Sequence, residues 1–107
     1  MIRSLILIHC SIPTTELGQH ISTALLDQRL VACAHLSAPG RSFYRWEGAI
    51  QDEPEQVLTL KTAAFHFKAV TALIKEIHTY EVPEIIATPI SDADPDYHQW
   101  VLDSVQL

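Results

Sequence analysis

The side chains in this sequence that could hold a soft metal are Cys10, Cys33 and a few of the histidines, His9, His35 and His78. Thiolate and imidazole are the ligands that select copper and zinc over magnesium and calcium. Adjacent strand residues point to opposite faces, so His9 and Cys10 cannot share a metal while the strand stays regular. Cys33 and His35 are two apart and do share a face. Their neighbours Val31, Ala32, Ala34 and Leu36 make ordinary packing the stronger reading for both. Cys10 alone reads as a small buried hydrophobe. A chaperone-type Cys-x-x-Cys chelate is excluded, because Cys10 is followed by Ser11, Ile12 and Pro13. His78 differs from the rest. It closes a helical pattern and opens the stretch His78–Ile90, in which Tyr80, Glu81, Pro83 and Glu84 follow closely. An imidazole there can simply complement the helix C-terminus.

A second constellation is Trp46, Lys61, Tyr80 and Glu84. Lys61 interrupts the apolar run Val57–Ala63, where an unpaired ammonium would be costly. It is expected to meet Glu84, Glu81 or an anionic ligand, either as an ion pair at a subunit seam or in a cleft between subunits. In the cleft, Trp46 and Tyr80 would supply stacking walls. Phe43, Tyr44 and Trp46 are expected at or near a subunit contact. Catalysis finds little support. Gly18, Gly40 and Gly48 are isolated and form no phosphate loop, and a Cys10–His78 nucleophile pair lacks an orienting third group. The expectation is a protein that is not an enzyme.

Across 107 residues the formal net charge is −6, which argues against nucleic-acid binding. Asp52, Glu53 and Glu55, and then Asp92, Asp94 and Asp96, read as two solvated acidic turns. No apolar run approaches the ~20 residues of a membrane span. The apolar segment Ser4–Ile8 is short for a signal peptide, so the expected home is the cytoplasm. The length suits one domain over residues 1–107.

Leu5–Ile8 reads as a buried strand ending near Cys10. Pro13 with Thr14 or Thr15 opens a helix whose apolar face carries Leu17, Ile21, Ala24 and Leu25. Val31–Leu36 is a second strand, interrupted at Pro39 and Gly40 and resumed over Ser42–Trp46. Glu47 and Gly48 turn the chain into a third strand, strongest over Val57–Thr62. Phe67, Val70, Leu73, Ile74 and Ile77 stripe a second helix. Glu84–Ile90 is the fourth strand, and Asp94–Pro95 starts a final helix. This order is an α+β, ferredoxin-like βαββαβ sandwich with an extra C-terminal helix. Right-handed crossovers put both main helices on one sheet face. Leu5 and Leu7 still oppose Ile6 and Ile8, so the other face also needs a cover, for which another subunit is the natural candidate. Cys10 and Cys33 lie on strands separated by a third, about 10 Å apart, too far for a disulfide.

In order and spacing, Arg29–Leu36, Ser42–Gly48 with Val57–Ala63, and His78–Ile90 together resemble the CutA family of divalent-cation-tolerance proteins, over about Leu5–Val105. The resemblance implies a PII-like homotrimer that takes part in divalent-metal tolerance and the response to metal ions. It implies copper, or another divalent metal, as the bound ion. Cys10 matches the family's proposed cysteine ligand and His78 one of its histidine pair, while Ile77 stands in the other histidine's place and Thr79 replaces a proline. The alternative function is a PII-like signalling trimer that senses a small molecule, expected to be an anion.

Overall fold

The computed structural model describes residues 4–107. Its sheet is built around β1 (Leu5–Ile12), which pairs antiparallel with β4 (Ala49–Ala63) on one side and β5 (Ile85–Ile90) on the other. β2 (Cys33–Leu36) adds to the outer edge of β4, giving the order β2-β4-β1-β5. β3 (Gly40–Trp46) pairs with the first half of β4 and carries the sheet out into a hairpin. This is the ferredoxin-like arrangement expected from the sequence. The broken second strand of the sequence reading is resolved into β2 and β3.

α1 (Thr15–Asp27) starts at Thr14, whose hydroxyl accepts the N–H of Leu17 at 3.2 Å. α2 (Phe67–Ile77) follows a single 3-10 turn over Ala64–His66. Both helices lie on one face of the sheet. There Ile21 and Leu25 of α1 and Val70 and Ile74 of α2 pack with Ile6, Ile8, Cys10, Ile12, Leu58 and Leu60. Each of those sheet side chains alternates with one on the opposite face, as strand pleating requires. α3 (Pro95–Ser104) is capped by Asp94, which accepts the N–H of Tyr97 at 3.1 Å. It covers only one end of that opposite face, where Val101 and Val105 meet Leu5, Ala32 and Ala63. Arg29, at φ 55°, ties α3 down: its guanidinium donates to the carbonyls of Asp103 at 2.9 Å and Ser104 at 3.3 Å. A cation on the terminal carbonyls also complements the helix dipole.

The hairpin turns through Glu47 at φ 50° and Gly48 at φ 81°. Two successive positive φ values between Trp46 and its partner Ala49 match the twist of the flanking strands. The acidic segment Asp52–Glu55, expected as a solvated turn, is instead part of β4. Asp52 pairs with Arg41 at 2.8 Å on the exposed hairpin, whereas Glu55 is only 8% exposed. Its side chain is turned toward Tyr80, whose hydroxyl donates to Glu55 Oε2.

Among the described residues no helix is long and apolar enough to cross a membrane. Both cysteines are free thiols. Cys10 sits opposite Leu58 and Cys33 opposite Lys61, with β4 between their strands.

Candidate functional site

A cavity of about 370 Å³ opens between the base of the hairpin and the junction after α2. Its walls are Tyr44 and Trp46 from β3 and Tyr80 from the junction, and its carboxylates are Glu55, Glu81 and Glu84. The other lining side chains, Ser11, Thr79 and Val82, carry no charge. Strand alternation delivers this set. Tyr44 and Trp46 are two apart on β3, and the β3–β4 register brings them to the face that Glu55 shares.

His78 organises the junction. The Tyr80 N–H donates to His78 Nδ1 at 3.0 Å, so that nitrogen is the unprotonated one. Nε2 therefore carries the proton and donates to the Ser11 carbonyl at 2.8 Å. The imidazole also lies 4.7 Å, centroid to centroid, from the Tyr80 ring. So held, Tyr80 reaches across and donates a short hydrogen bond from its hydroxyl to Glu55 Oε2. Burial, and then this bond, push the Tyr80 phenol well above the usual range. On the opposite side Ser11 donates to Glu84 Oε1 at 3.2 Å. The histidine, the serine and the tyrosine thus form one connected frame around the two carboxylates.

Trp46, Tyr80 and Glu84 line this cavity together within one chain, and Lys61 of the same chain lies outside it. It lies six residues beyond Glu55 on β4, about 20 Å along the strand. Its ammonium sits 5.8 Å from the centre of the Tyr97 ring of α3, and no carboxylate partner is present among the described residues. Within the chain, the face of an aromatic ring is the group nearest its charge. The cleft as one chain builds it carries three carboxylates and no cationic lining side chain. By residue type alone Glu55 is indistinguishable from its acidic neighbours Asp52 and Glu53. The available signal was its even spacing from Val57, Thr59 and Lys61.

The fold does bring the two expected metal ligands close together. Cys10 Sγ lies 3.8 Å from the Ser11 carbonyl oxygen, the same atom that accepts from His78. They do not fit copper as arranged. Both imidazole nitrogens are engaged by backbone, leaving no lone pair for a metal. The Cys10 side chain is fully buried, and burial, followed by the charges of Glu84 and Glu55, pushes its thiol up to about 12. The thiolate is the metal ligand, and it is suppressed here. Among the described residues no three His, Cys, Asp or Glu side chains converge as a metal-holding group. Cys33 Sγ faces the Tyr97 hydroxyl at 3.9 Å and not His35.

Residues 6–104 match the family model described as CutA1 divalent ion tolerance protein. The chain is 33% identical over 94 residues to the divalent-cation tolerance protein CutA of Thermus thermophilus, covering 88% of this chain and 91% of that protein. The crystal structure of the divalent ion tolerance protein CutA1 from Ehrlichia chaffeensis superimposes with a TM-score of 0.93, at 33% identity and with all of both chains covered. A protein from Archaeoglobus fulgidus titled periplasmic divalent cation tolerance protein CutA is 30% identical, with a TM-score of 0.92 over 95% of this chain and 99% of that one. Strand order, helix placement and these matches over nearly the whole length agree: the chain belongs to the CutA1 divalent ion tolerance family.

Proposed function

We propose that this chain, as one domain over residues 1–107, acts as a cytoplasmic homotrimer in tolerance of divalent metals, copper among them, by binding and not by catalysis. The observation that carries the assembly is the sheet face away from α1 and α2. Leu7, His9, Val57, Thr59 and Ile86 share it, α3 covers only one end, and Val57 and Ile86 are 43% and 53% exposed. A sheet face of this kind is completed by further copies of the same chain. The hairpin adds Phe43 and Ile50, both largely exposed. Light scattering of the purified protein is expected to give three chain masses, and Ile86→Glu to give one. A folded wild-type monomer at micromolar concentration would end the trimer reading.

Copper is the favoured metal on the chemistry of thiol and imidazole. Binding at Cys10 and His78 requires the imidazole to release a backbone partner and the thiol to ionise. Calorimetric titration of copper into the parent and into the Cys10→Ser, His78→Ala double variant decides whether this pair is involved. Equal binding by both would remove it.

The second reading is a PII-like trimer that senses a small molecule. It is favoured by the Trp46–Tyr80–Glu84 cleft, whose volume suits a small ligand and whose rim is held in place by His78 and Ser11.

A further inference from the structure

Glu55 is buried to 8% exposure, yet its one hydrogen-bonding partner is the neutral phenol of Tyr80. The described residues place no lysine, arginine or histidine against it. A carboxylate largely withdrawn from solvent, with one neutral partner, favours a positive charge beside it. Tyr80 engages only Oε2, and the side chain lines the cavity. The open position is therefore one that a ligand's positive charge would fill.

The remaining lining defines what kind of cation. Tyr44, Trp46 and Tyr80 present aromatic surface around the same space, and aromatic faces attract ammonium groups through the ring quadrupole. Glu81 and Glu84 add negative potential at the rim. A bare divalent ion is a poor match, because the carboxylates do not converge as metal ligands. The cavity, at about 370 Å³, is also far larger than an ion and within the range of small-molecule sites. We propose that this cleft binds a small organic ammonium ion, with its charge on Glu55 and its alkyl groups against Trp46, Tyr44 and Tyr80. His78 is a positioning residue for this site, since it holds Tyr80 and Ser11 and touches no part of the ligand space.

The inference rests on the ligand-cleft reading given above and names its ligand class. Choline is the probe, compared by calorimetry on the assembled protein with its uncharged tert-butyl isostere and with butyrate. Choline is expected to bind at least about tenfold more tightly than the isostere, and butyrate not at all. Glu55→Gln, which retains an acceptor for Tyr80, is expected to lose that preference, while Tyr80→Phe, which keeps the ring, retains it. Equal binding of choline and isostere overturns the cation assignment and leaves the cleft reading standing. So does binding of butyrate alone. Absence of binding by all three overturns both readings. Dissociation of the assembly by Glu55→Gln would show that a second copy supplies the cation, which also overturns the proposal. The three-ligand comparison needs only the parent protein and so does not depend on any variant folding.

Discussion

His78 and Cys10 address one atom, the carbonyl oxygen of Ser11, from the imidazole at 2.8 Å and from the thiol at 3.8 Å. The family resemblance implies these two residues as metal ligands, and the fold places them as neighbours around a backbone oxygen. Proximity without free lone pairs makes the arrangement a structural clasp in this conformation.

His78→Ala removes the donor to Ser11 and the acceptor for the Tyr80 N–H. Each such bond contributes about 0.5–1.5 kcal/mol, and a buried group left unpaired costs more. A loss of about 2–3 kcal/mol in chemical denaturation is expected, with Tyr80 released from Glu55. A loss within error would mean that the junction is held by other contacts.

The Cys10 thiol is expected to resist alkylation by iodoacetamide in the native protein at neutral pH and to react fully in denaturant. Mass spectrometry of the labelled peptide checks this. The linkage has a definite sign. Its pKa is raised from 9.0 to about 12 on folding, so the neutral thiol is favoured in the native state. The corresponding stability is fully present below pH 9 and is lost as pH rises through 12. Cys10→Ala should flatten the alkaline limb of the stability profile between those values, and an unchanged limb would assign it to other groups.

Glu47 occupies a left-handed conformation ahead of Gly48 in the hairpin turn. Asparagine is the residue preferred there, because its short side chain tolerates positive φ. Glu47→Asn is expected to raise stability by a few tenths to about 1 kcal/mol, measured by thermal melting, whereas Gly48→Val should lower it. A stabilised Gly48→Val would contradict the turn geometry.

Arg29→Ala is expected to cost about 1.5–3 kcal/mol, since hydrogen bonds from a charged donor to the α3 carbonyls are lost. Hydrogen exchange should locate the loosening in α3 and leave α1 and α2 protected. Uniform loss across the sheet would show that α3 is not an independent layer.

Much of the architecture was legible in the sequence because burial there follows a simple period. Phe67, Val70, Ile74 and Ile77 mark α2 at helical spacing, and Leu58, Leu60 and Thr62 mark one face of β4 by alternation. The boundaries were less legible. β4 begins at Ala49, well before its apolar half, because pairing with β3 extends polar residues that have no strand signature of their own. The site was half legible. Trp46, Tyr80 and Glu84 could be grouped by type and spacing, but Glu55 and Lys61 depend on distance along one strand and on α3 supplying Tyr97. Those are tertiary facts. The engagement of both His78 nitrogens is likewise set by where Ser11 and Tyr80 fall in space.

The length of β4 also limits how this protein can diverge. Its outer half carries Glu55 for the cleft, and its inner half carries Leu58 and Leu60 for the core, on one unbroken pleat. Inserting or deleting a single residue between Glu55 and Leu58 would exchange the faces of one half relative to the other. Either the carboxylate would turn away from the aromatic walls or the leucines would leave the core. Length variation is therefore confined to the hairpin tip around Glu47 and Gly48, where residues can be gained or lost in matched pairs without disturbing either half.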